Sequence, residues 1–167
     1  MKRLTAARRL SLAVAAQLAL AFGLLVPGTV DRLNGQEITL ETRLADPRDV
    51  LRGQYMTLEY PISRVAADPD VKAPGVAYVP LVERAGLWTG DRATSRRPTS
   101  GIFLRGRVQA VVDGQALLTY GLERFYLSET AAQEQVQASG ELRARVLVGA
   151  SGRSRLLGLS RGGVAIR

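Results

Sequence analysis

"QYMTLEYPI", residues 54–62, decides the fold class. Met56, Leu58 and Tyr60 alternate with Tyr55, Thr57 and Glu59, so an extended chain gathers one apolar face and one mixed face. No helical period collects these residues in that way. Upstream, "DPRDVLRG" (46–53) opens on Asp46-Pro47, a turn start, and ends on Gly53, a conformationally permissive residue. The alternation recurs on both sides. In "QEITLETRL" (36–44), Ile38 and Leu40 oppose Thr39, Glu41 and Arg43. "GVAYVPLVE" (75–83) reads as a third strand, with Pro80 pointing to an edge or a bulge.

In "GIFLRGRVQAVVDGQALLTYGLERFYL" (101–127), Asp113-Gly114 between apolar runs signals a hairpin. "ELRARVLVGASGRSRLLGLSRGGVAIR" (141–167) reads as two more strands joined across Ser151-Gly152. Residues 85–100 read as a loop, and "SETAAQEQVQAS" (128–139) as one short helix with Ser128 at its N-cap and Gly140 ending it. The expected fold is mainly β: about seven antiparallel strands with one short helix.

The first thirty residues follow another rule. Lys2, Arg3, Arg8 and Arg9 precede a stretch from Leu10 to Val30 without a charged side chain. As a helix that stretch reaches about 31 Å, close to the hydrocarbon thickness of a bilayer. Ala19–Ala21 offers a small-x-small site for a signal peptidase, but the apolar run continues past it to Val26, which favours an uncleaved anchor. The expected organisation is a basic cytoplasmic end (1–9), a transmembrane signal-anchor helix (10–30) and a β-rich extracytoplasmic domain (31–167). A single-pass protein of the inner (cytoplasmic) membrane, with its C-terminal domain on the periplasmic side, is therefore expected.

Composition narrows the chemistry. The 167 residues include no Cys and no His, and only two Lys among 23 basic side chains. Thiolate chemistry, the usual zinc sets and every triad with an imidazole base are therefore excluded. A Ser–Lys dyad would need Lys2, on the wrong side of the membrane, or Lys72, in a Pro- and Asp-rich loop. The formal charge of +8 sits at the two ends, while residues 31–141 carry a net −2. A nucleic-acid binder would place its basic face inside the folded domain, with aromatics interleaved. No nucleic acid, metal or cofactor is expected. Asp68 and Asp70 in "AADPDV" lack the ligand density of a calcium loop.

"RGQYMTLEY" (52–60) resembles the defining motif of the GDYXXLXY family, membrane-anchored bacterial proteins of uncharacterised activity. Gly53, Tyr55, Leu58 and Tyr60 fall on the motif positions, and Asp46, Pro47, Arg48, Asp49 and Arg52 match the family's lead-in. "GLERFYLSE" (121–129) resembles a second family patch through Arg124, Phe125, Tyr126 and Glu129. The chain departs from the family at Gln54, where the motif has Asp, and at Ser128 and Thr130, where Pro and Gly are usual. The resemblance implies a polytopic inner-membrane protein as partner, beside the lipid contact made by Leu10 to Val30.

Three readings of the motif stretch follow. As the corner of a β-sheet it needs no chemistry: Asp46-Pro47 starts the turn, Gly53 supplies its special conformation, Asp49 pairs with Arg52 three residues on, and Leu58 and Tyr60 face the core. As a recognition surface, Arg48, Arg52 and Arg124 converge with Tyr55 and Glu129 on a carboxylate-bearing ligand, since the planar guanidinium matches a carboxylate bidentately. As a catalytic site, Asp46 or Asp49 pairs with Glu129, with Glu59 in reserve, because two acids suffice for glycoside hydrolysis without His or Cys. The expected function is a membrane-anchored accessory or binding module of the cell envelope. The alternative is a carboxylate-dependent hydrolase of cell-wall glycan.

Overall fold

Period-2 alternation becomes a set of short strands that share one core. The computed structural model describes residues 12–21, 23, 35–45, 55–126 and 140–166. The first sheet is built on β1 (Gln36–Leu44), β2 (Tyr55–Glu59), β10 (Arg124–Tyr126), β11 (Leu142–Val148), β12 (Ser154–Arg161) and β13 (Val164–Ile166). Its order is β10-β2-β1-β11-β12-β13, all antiparallel. Two small strands, β5 (Val82–Arg84) and β6 (Leu87–Thr89), join it where Trp88 lies parallel to Leu40.

The second sheet holds β3 (Arg64–Ala67), β4 (Gly75–Pro80), β7 (Arg92–Ala93), β8 (Phe103–Val112) and β9 (Gln115–Thr119), in the order β4-β8-β9-β3-β7. Thr94, directly after β7, exchanges both backbone hydrogen bonds with Tyr78 of β4, at 2.8 and 2.9 Å. That bridge closes the five strands on themselves, which removes the open edges such a sheet would otherwise present.

Alternation sorts each strand as expected. Ile38 and Leu40 are buried, as are Met56, Leu58 and Tyr60, while Tyr55 and Glu59 on the opposite face are exposed. Thr42 joins the inner face of β1 because its hydroxyl donates to the Glu59 carbonyl at 2.9 Å. The Asp113-Gly114 turn has φ of 51° and 72° at its two residues, the left-handed pair that a two-residue hairpin demands. Strands β11 and β12 pair across the Ser151-Gly152 turn, and Arg143 and Arg145 lie on the wet face.

The span 85–100 differs from its expected reading as a loop, because it contains β6 and β7. Strands of three and two residues carry too little alternation to register in a sequence, and neighbouring strands hold them in place. Several short strands of this kind also take the count past the seven expected, to thirteen among the described residues. The helix expected at 128–139 lies outside the described residues. Of the segment Leu10–Val30, residues 12–21 are helical, with Leu12, Val14, Leu18 and Leu20 exposed, and most of the remainder lies outside the described residues. Among the described residues, no helix is long and apolar enough to cross a membrane.

Two tyrosines fasten the sheets to each other. The Tyr60 hydroxyl donates to the Leu122 carbonyl at 2.9 Å, and the Tyr120 hydroxyl donates to the Ile62 carbonyl at 2.6 Å. Each ring thus reaches the other's neighbouring backbone, and this reciprocal clasp joins residues 60–62 to 120–122. Burial, and next the nearby Glu123 charge, push both phenols well above their ordinary value. The sign follows from linkage: below pH ~10 both phenols are neutral in either state, so stability is flat. Above pH ~10 the unfolded phenols ionise while the folded ones hold their protons, so stability falls as pH rises. Urea unfolding of the full chain between pH 8 and 11 should show that decline, and the Y60F/Y120F variant should flatten it.

Candidate functional site

The two motif patches become hydrogen-bonded neighbours. Strand β2 comes from "RGQYMTLEY" and β10 from "GLERFYLSE", paired with Arg124 opposite Thr57, Phe125 opposite Met56 and Tyr126 opposite Tyr55. The pleat then divides the ladder. Met56 is fully buried and Phe125 packs against the core, so they anchor the pair from within. Tyr55, Arg124 and Tyr126 stand on the outer face, where Tyr55 and Tyr126 are 38% and 69% exposed.

These three side chains touch. The rings of Tyr55 and Tyr126 are tilted at 59° with centroids 6.0 Å apart. The Arg124 guanidinium carbon lies 5.4 Å from the Tyr55 ring centre, within reach of a cation–π contact. Among the described residues the guanidinium's edge donors have no partner, so one surface presents a planar cation and two aromatic faces. Such a surface suits a flat or carboxylate-bearing group, such as a peptide side chain or a sugar acid.

Of the binding residues expected from sequence, Tyr55 and Arg124 are brought together. Arg48, Arg52 and Glu129 lie outside the described residues, as do Asp46, Asp49 and Gln54. Tyr55 begins β2 and Tyr126 ends β10, and the two are paired. Tyr126 belongs to the outer cluster although it is not among the binding residues expected from sequence. The signal was available: Tyr126 is two residues from Arg124, on the same face of a strand.

Glu59 is not an isolated acid. Arg43, opposite it in the β1–β2 register, places Nη2 and Nε at 2.9 and 3.0 Å from Glu59 Oε2. The pair borders an open cleft of about 680 Å³ that also meets Ser63, Arg64, Gln109 and Thr119. Asp68 is paired to Arg92 at 3.0 Å, and Asp70 accepts a hydrogen bond from the Ser95 hydroxyl. Among the described residues, no three Asp or Glu side chains gather as a metal would need.

The opening stretch is therefore both corner and surface. Met56, Leu58 and Tyr60 are core, with Tyr60 in the clasp, while Tyr55 faces outward with Arg124 and Tyr126. No curated protein and no solved structure matches the chain. A family model described as GDYXXLXY protein matches residues 17–159, a span that includes both paired patches, and the chain belongs to that family.

Proposed function

We propose that this chain is a membrane-anchored accessory or binding module of the bacterial cell envelope, which holds a polytopic membrane protein through the outer face of β2 and β10. The observation that carries the reading is the contact of Tyr55, Arg124 and Tyr126, exposed side chains drawn from both motif patches. A stability role does not require two large rings and a cation on the wet side of a ladder whose inner side is already filled by Met56 and Phe125. Tyr and Arg are also the residues that most often dominate binding energy.

The anchor part of the reading rests on the uncharged stretch Leu10–Val30 behind a basic start, and on the exposed apolar side chains of residues 12–21, which lipid would cover. The same charge bias supports a periplasmic position for the β-rich domain.

Purification of the tagged full chain from its native membranes in mild detergent tests both parts. The expected result is one near-stoichiometric polytopic protein, whose recovery falls more than about tenfold in Tyr55→Ala or Arg124→Ala at unchanged expression, as for hot-spot side chains. Recovery of the chain alone, or of a companion indifferent to both substitutions, would overturn the reading.

A further inference from the structure

A second assembly of arginines lies away from the Tyr55 cluster, at the junction of the two sheets. Along β8, Leu104, Gly106 and Val108 point into the core, so Arg105 and Arg107 share the outer face. The turn between β11 and β12 approaches them because the Arg105 N–H donates to the Gly152 carbonyl at 2.8 Å. That bond brings Arg153 alongside. Arg105, Arg107 and Arg153 line one open cleft of about 460 Å³, with Thr119, Gly121 and Glu123 among its other walls.

The charges in this cleft do not balance. Three guanidinium groups face one carboxylate, and Glu123 Oε1 is already engaged by the Tyr120 N–H at 2.6 Å. Elsewhere Arg43, Arg92, Arg143 and Arg145 each pair with a carboxylate. Among the described residues, the side chains of Arg105, Arg107 and Arg153 have no such partner. Like charges on one strand face repel, and a bound anion removes that repulsion. Space is also present: a side chain atom added at Gly121 would meet nothing within 4 Å.

We infer that the cleft of Arg105, Arg107 and Arg153 binds a phosphate monoester. Three planar forks from two separate segments can each give paired hydrogen bonds to a tetrahedral oxyanion. The local excess of two positive charges matches the dianion. The phosphate can belong to a free small molecule or to a lipid headgroup, since both offer the same group.

The test is titration calorimetry on the full chain in neutral detergent at 0.15 M NaCl, with inorganic phosphate as the first probe. Saturable binding is expected. Affinity should fall about tenfold in each of Arg105→Gln, Arg107→Gln and Arg153→Gln, the scale of one lost charge-assisted hydrogen bond. Glu123→Gln keeps the acceptor for the Tyr120 N–H while removing the opposing charge, so it should bind phosphate a few-fold more tightly. This opposite sign cannot come from a variant that fails to fold. Glycerol 3-phosphate and short-chain dihexanoyl phosphatidic acid separate the sources: arginine-dependent preference for the second assigns a lipid headgroup, and equal affinity assigns a free phosphate ester. No saturable binding, or binding unmoved by all four substitutions, overturns the inference.

Discussion

Tyr60→Ala is expected to lower the unfolding free energy by about 4 kcal/mol, whereas Tyr55→Ala, five residues earlier in the same motif, should change it by no more than ~0.5 kcal/mol. Tyr60 is 3% exposed and packs within the core shared by both sheets. Its removal leaves a ring-sized void and takes away the hydroxyl that serves the Leu122 carbonyl. The carbonyl is then buried without a donor, a loss of ~1–3 kcal/mol on its own. Tyr60→Phe isolates that part by keeping the ring. Urea unfolding of the three variants measures each contribution. A Tyr60→Ala loss below ~1 kcal/mol would mean that the clasp does not hold the two sheets together.

The contrast between Tyr55 and Tyr60 separates two demands that the motif meets together. Extended backbone runs from β2 through Tyr60 and places residues 55 and 60 on opposite faces, so one short stretch supplies a core anchor and an exposed aromatic. That much was legible in "QYMTLEYPI", because alternation depends only on local order. The Asp113-Gly114 hairpin was legible for a similar reason: its backbone angles are a local requirement. The non-local partners were not. Tyr60 meets Leu122, and Arg105 meets Gly152, only because two sheets close over one core, and no short window of sequence contains both members of either pair. The binding face was half legible. Residue type and motif position point to Tyr55 and Arg124, but that Tyr126 stands directly across from Tyr55 depends on the register of β2 against β10.

The turn that carries Arg153 supports the second large effect, a loss of about 3 kcal/mol in Gly152→Ala. Gly152 has φ +78°, in the left-handed region where an Ala costs ~1–2 kcal/mol. Space is the other obstacle. A Cβ there would stand 2.6 and 2.7 Å from Cε2 and Cδ2 of Phe103 and 3.2 Å from the backbone nitrogen of Arg105. Phe103 has little room to yield: it is 7% exposed, its ring meets Tyr78 edge-on at 5.8 Å, and Arg97 lies over it. The nitrogen of Arg105 is tied to the Gly152 carbonyl itself, so the turn can relieve the overlap only by drawing away from β8. Phe103→Leu should free part of that space, making the G152A/F103L pair less damaging than the two single losses together. An interaction energy of ~1–2 kcal/mol in that cycle is expected, with the remaining cost due to the backbone angle. Strict additivity would show that the ring and the turn are not in contact. If they are, the close seat of Gly152 on Phe103 is what holds Arg153 beside Arg105, and G152A should weaken phosphate binding even in the molecules that remain folded.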